Sequence, residues 1–174
     1  MWRLLIAAGL VCVIGMQAIG QEPVARVAPE DFAILAWSRM PNDVNVLRDV
    51  YECGFNLAGM VDPEALDAVA AAGLKTLVSH PAMHVDDRRV DRDEAAVAQD
   101  VQAAVEQVGQ HPALFGYYLR DEPPARMFPA LGRYAAALRQ TAPYAAAYIN
   151  LFPNYASPQQ LGSATYAEHL DQYL

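Results

Sequence analysis

The chain has 174 residues, with 12 Lys and Arg against 20 Asp and Glu, a formal net charge of −8 and 54% hydrophobic residues. That acidic balance, with Lys75 the lone lysine, argues against nucleic acid or an anionic membrane surface as partner. Of the two cysteines, Cys12 falls in the segment read below as a leader, and Cys53, left alone once that is removed, excludes a disulfide framework. Cys53, beside Gly54 at an expected helix end, reads as a small core residue.

Residues 1–20 read as a secretory signal peptide. Met1-Trp2-Arg3 is a short positive start, Leu4 to Met16 is apolar, and Ala18-Ile19-Gly20 places small residues where signal peptidase cuts. The apolar stretch falls below the ~18 residues a membrane span needs, so the processed chain is expected to be exported and free of the membrane. Residues 21–31 are polar and proline-punctuated, and form a flexible lead-in.

From Phe32 onward short apolar runs alternate with helical patterns. The first strand is expected at Phe32 to Trp37, a continuous apolar run that suits a sheet covered on both faces. A helix starts at Asn42 or Asp43, carries Val44, Leu47, Val50 and Tyr51 on one stripe, and stops at Gly54. Strand two is Phe55 to Met60, and Asp62-Pro63 opens a second helix with Leu66, Val69 and Ala70 facing inward before Gly73. Strand three is Lys75 to Ser79. In helix three Val97, Val101, Ala104, Val105 and Val108 recur at 3.6-residue spacing, behind Asp91, Asp93 and Glu94 and ahead of Gly109. Strand four is Ala113 to Leu119. Helix four carries Met127, Phe128, Leu131, Tyr134, Ala135 and Leu138 until Pro143, strand five is Ala145 to Leu151, and Thr165 to Leu174 begins a fifth helix.

Strict β-α alternation implies a parallel sheet with right-handed crossovers and an α/β fold. An open flavodoxin-like sheet would place a glycine-rich phosphate loop after its first strand, and Ser38-Arg39-Met40-Pro41-Asn42 contains no glycine. No nucleotide cofactor is therefore expected. The preferred reading is a (β/α)8 TIM barrel of which residues 32–174 supply about the first five βα units, since a whole barrel takes about 250 residues.

Barrel enzymes act at the C-terminal ends of their strands. Those ends here deliver Trp37-Ser38-Arg39, Met60 to Asp62, His80, Asp121-Glu122, and Asn150 with Asn154. Aromatic, amide and carboxylate groups on one rim suit a carbohydrate, whose rings stack on aromatic faces and whose hydroxyls bind amides and acids. Glu122 stands out, because an apolar strand leads to it and low-dielectric walls favour the protonated carboxyl that a general acid needs. Asp121 beside it can bind a substrate hydroxyl or hold the acid in place. Trp37 is open to core packing or sugar stacking, and Tyr117 and Tyr118, inside strand four, are expected to pack. His80-Pro-Ala-Met-His84-Val-Asp86-Asp87 offers an alternative, a metal-dependent hydrolase using His80 and His84. Without further histidines at other strand ends its ligand set is incomplete, and no metal is expected.

Gly116-Tyr117-Tyr118-Leu119-Arg120-Asp121-Glu122-Pro123 and Tyr148-Ile149-Asn150-Leu151-Phe152-Pro153-Asn154-Tyr155 resemble glycoside-hydrolase-like TIM-barrel proteins of the retaining clan that includes the family 42-type β-galactosidases. The resemblance covers residues 32–174. It implies an exported glycosidase with Glu122 as acid/base, since the clan carries Asn-Glu-Pro at the end of strand four. Asp121 stands in place of that asparagine, which usually contacts the sugar 2-hydroxyl. The clan's nucleophile comes from strand seven, so on this reading the chain is an N-terminal portion, or a truncated copy serving as a non-catalytic or vestigial carbohydrate-binding protein.

Overall fold

In the computed structural model, residues 32–174 are described; the expected signal peptide at 1–20 and lead-in at 21–31 lie outside the described residues. Four strands form one parallel sheet in the order β1-β2-β3-β4: β1 Leu57–Val61, β2 Lys75–Val78, β3 Leu114–Asp121 and β4 Ala146–Asn150. They correspond to expected strands two to five. Helices α1 (Val44–Glu52), α2 (Leu66–Ala71), α3 (Glu94–Val108) and α4 (Phe128–Thr141) alternate with them, and α5 (Pro158–Leu161) and α6 (Tyr166–Tyr173) follow β4.

The order is monotonic, with each strand beside its predecessor in sequence. Right-handed crossovers in one direction across a parallel sheet place all the helices on the same face, whereas a doubly wound sheet must reverse its order at a switch point. The packing agrees. Tyr117 is fully buried with its hydroxyl 3.4 Å from the Ala104 carbonyl of α3, and Leu119, Val78 and Val61 join it beneath Leu47, Val69, Val101, Leu131 and Leu138. Tyr118 and Tyr148 lie on the other face and are only half-buried.

Expected strand one is corrected. Residues 34–40 run parallel to β1 but touch it regularly only at Leu35–Leu57 and Arg39–Met60. The interruption lies in β1, whose register shifts between Ala58 and Met60. A Cβ on Gly59 would stand 1.7 Å from the Ser38 carbonyl oxygen, so glycine alone lets the leading segment approach. This position is an edge, not a strand buried on both faces: Ile34 is 44% and Trp37 48% exposed, and Ala36 is the residue that reaches the core.

Local chemistry sets the helix ends. Asp43 caps α1 through the Asn45 amide, and Asp93 caps α3 through the Ala96 amide at 2.8 Å. Asp62 precedes a 3-10 turn at Pro63–Ala65 without capping it. Three burial expectations are also corrected: Tyr51 of α1 is exposed, Ala70 is exposed while Ala65 and Ala72 line the core, and Cys53, which caps the end of α1, is exposed. The short α5 was not expected, although Ser157-Pro158-Gln159-Gln160 is a capping box with proline at the first turn. Among the described residues no helix is long and apolar enough to cross a membrane.

Candidate functional site

Strand β3 is two residues longer than its apolar run, so Arg120 and Asp121 belong to the strand and Glu122 emerges at its C-terminal end. Asn150, at the end of β4, is the register partner of Asp121. Its side-chain amide donates to Asp121 Oδ1 at 2.8 Å, and its main-chain carbonyl accepts from the Glu122 N–H at 2.8 Å. One residue thus fixes both members of the acidic pair.

Glu122 has φ 44°, the one positive φ outside glycine among the described residues. A side chain in this region costs on the order of 1–3 kcal/mol, and such strain persists where the surroundings impose it, often at functional sites. The imposing contacts here are the Asn150 carbonyl on one side and Pro123-Pro124 on the other.

Below the carboxylates the open sheet face is aromatic. Trp37 lies 6.2 Å from Tyr118 and 6.1 Å from Tyr148, ring centre to ring centre, and Tyr118 lies 6.4 Å from Tyr148. The ring of His84 lies 6.3 Å from Tyr118 on its other side. Burial pushes the Tyr118 hydroxyl up to about 12, helped by the negative charge of Asp121, so the ring presents a neutral donor throughout the physiological range.

The rim is charged. Arg39 pairs with Asp62 and donates to Ser79 Oγ at 3.2 Å, tying the ends of the leading segment, β1 and β2 together. Arg120 Nη1 lies 3.4 Å from His84 Nε2. Burial, then the Arg120 guanidinium, lowers the His84 pKa below 6.5, which keeps the imidazole neutral and leaves Nε2 an acceptor. Between its lowered folded value and 6.5 the unfolded chain binds more protons at this position, so stability is highest above pH 6.5 and falls as the pH drops through that window. Urea unfolding at pH 7 and pH 5 should show wild type losing more stability on acidification than His84→Gln; equal losses would contradict the assignment.

Trp37, Asp121, Glu122 and Asn150 therefore come together at one mouth. Asn154 is exposed in the turn beyond β4. His80 is 7% exposed and committed elsewhere, with Nε2 2.8 Å from Gln107 Oε1 of α3 and Nδ1 accepting from the Ala82 N–H at 3.1 Å. With both nitrogens engaged it does not join His84 on a metal, and no group of three potential ligands is assembled among the described residues. Sequence reasoning missed Tyr118, Tyr148, Arg120 and His84 as parts of the site. The signal for the first lay in strand alternation: once Tyr117 faces the helices, Tyr118 must face the other way. A groove of about 550 Å³ between α4 and α6, lined by Phe128, Leu131, Ile149 and Tyr173, holds none of these groups.

No protein-family model, curated protein or solved structure matches this chain.

Proposed function

We propose that this sheet is the leading part of a (β/α)8 barrel and that its C-terminal mouth binds carbohydrate in an exported retaining glycoside hydrolase. The observation that carries the reading is Glu122 at the end of a buried parallel strand, held in a strained backbone by Asn150 and close enough to Tyr118 of the aromatic cluster for its charge to act on that hydroxyl. The rings supply the apolar wall on which a pyranose face stacks. Asp121 and Asn150 supply acceptors and donors for its hydroxyls. Glu122 acts as general acid toward the glycosidic oxygen and then as base toward water, and the second carboxylate, about 5 Å from it in a retaining enzyme, is carried by a later strand of the closed barrel. The monotonic strand order supports the barrel, because it leaves the sheet to curl around its aromatic face with every helix outside.

Trp37 makes the test direct. Trp2 belongs to the expected leader, so Trp37 is the one tryptophan of residues 21–174, and its emission reports what touches the aromatic wall. Titration with a panel of mono- and oligosaccharides is expected to give a saturable change in emission with some members, and Tyr118→Ala should weaken it. A flat response across the panel would remove the carbohydrate reading. Saturable binding without hydrolysis of any bound glycoside by the protein with its barrel complete would leave a non-catalytic binding protein.

A further inference from the structure

Arg120 is not accounted for by general acid catalysis. Its guanidinium lies beside His84, whose ring stands 6.3 Å from Tyr118, and near enough to Tyr118 for its charge to act on that hydroxyl. Among the described residues it makes no ion pair with a carboxylate, unlike Arg39, Arg89, Arg92 and Arg126, each of which has an aspartate within 4 Å. Its one hydrogen-bonding neighbour among them is a neutral imidazole, and its Nε is buried with no acceptor. A buried donor on a charged group without a partner is costly, and a guanidinium fork is built to take a planar carboxylate through two parallel hydrogen bonds. The neighbouring acids do not supply one: Asp62 is drawn to Arg39, Asp121 is held over Asn150, and Glu122, whose charge also reaches Tyr118, forms no ion pair with Arg120. An anion arriving from solution would meet the Nη end of Arg120, the Nε being buried, with the ring it belongs to stacked between Trp37, Tyr118 and Tyr148.

On the reading that this mouth binds carbohydrate, we propose that the preferred ligand is an acidic sugar of the uronic acid type, its carboxylate seated on Arg120 and its ring on the aromatic wall. The neutral His84 holds Nη1, which leaves Nη2 to take the ligand's carboxylate. Arg120 is then a specificity-determining binding residue, distinct from Glu122, which acts on the glycosidic oxygen.

The experiment is a Trp37 fluorescence titration with matched ligands: the methyl glycosides of glucuronate and galacturonate, their methyl esters, the parent neutral glycosides, and a 6-sulfated galactoside. A uronate is expected to bind about ten-fold or more tighter than its methyl ester, the discrimination that one charge-assisted pair provides. Arg120→Met should bring that ratio close to one, and Arg120→Lys, which keeps the charge and loses the fork, should give an intermediate value. Urea unfolding of both variants shows that they are folded. Equal binding of acid and ester overturns the inference and leaves the carbohydrate reading intact, whereas no binding of acid, ester or neutral sugar removes both. A preference that survives in Arg120→Met, accompanied by a large loss of stability, would make Arg120 a structural ion-pair partner and also overturns it. Tighter binding of the sulfated sugar than of either uronate would overturn the carboxylate assignment.

Discussion

Replacing Glu122 with glutamine is expected to lower the turnover of glycosides with poor leaving groups by about 10²–10⁴-fold in the protein with its barrel complete, the usual contribution of a positioned proton donor. The loss should shrink for substrates with acidic phenol leaving groups, which depart with little protonation. This gradient separates proton donation from simple disturbance of the site, because a displaced loop would slow all substrates alike. Stability should stay within about 0.5 kcal/mol of wild type, since the amide is isosteric and no hydrogen bond to the carboxylate holds the fold. A second substitution reads the strain. Glu122→Gly relieves the penalty of φ 44° and is expected to raise stability by about 1 kcal/mol even after the extra entropy of glycine in the unfolded chain, while abolishing acid catalysis. A more stable, inactive Glu122→Gly would mean that the fold carries this conformation for the sake of the carboxylate. Full activity in Glu122→Gln would remove the residue from the mechanism.

Much of the architecture was legible because it rests on periodicity. The 3.6-residue repeat from Val97 to Val108 became α3 with Val97, Val101, Ala104 and Val108 buried, and the four apolar runs after the first became parallel strands in chain order. The rim was legible where a strand end and a chemistry-bearing residue coincide, as at Asp121 and Glu122. What periodicity could not give was which face of the sheet lies under the helices. A continuous run such as Leu114 to Leu119 looks buried on both sides, so the split between Tyr117, fully buried against α3, and Tyr118, half-buried in the aromatic wall, was hidden. The same blindness made His80 look like a rim residue. Its partner, Gln107, is 27 residues away, and no local pattern announces a pairing at that separation. Arg120 was passed over as part of a polar strand end, and the absence of an ion pair between it and any carboxylate of the described residues is visible only in three dimensions. The barrel and its chemistry remain proposals that rest on the resemblance and on this geometry together.

Gly59→Ala is expected to be the most damaging small substitution for the fold, costing about 3 kcal/mol, at the upper end of the overpacking range. The added Cβ would lie 1.7 Å from the Ser38 carbonyl oxygen and 2.5 Å from that of Ala36. Both are main-chain atoms with no rotamer through which to yield. The leading segment must therefore move away from β1, which breaks the main-chain bonds Met40 N–H to Met60 O and Met60 N–H to Ser38 O, each 2.9 Å long. The displacement would carry Trp37 off Tyr118 and Tyr148 and pull Arg39 from Asp62 and Ser79. One methyl group thus links fold and site: denaturant unfolding should show the lost stability, and the Trp37 emission of the still-folded protein should shift toward that of an exposed indole. The control is Gly132→Ala on α4, where a new Cβ meets no atom within 4 Å and alanine favours the helix by up to 1 kcal/mol. If Gly59→Ala is tolerated as well as Gly132→Ala, the leading segment is not seated against β1, and Trp37 and Arg39 lose their place in the site.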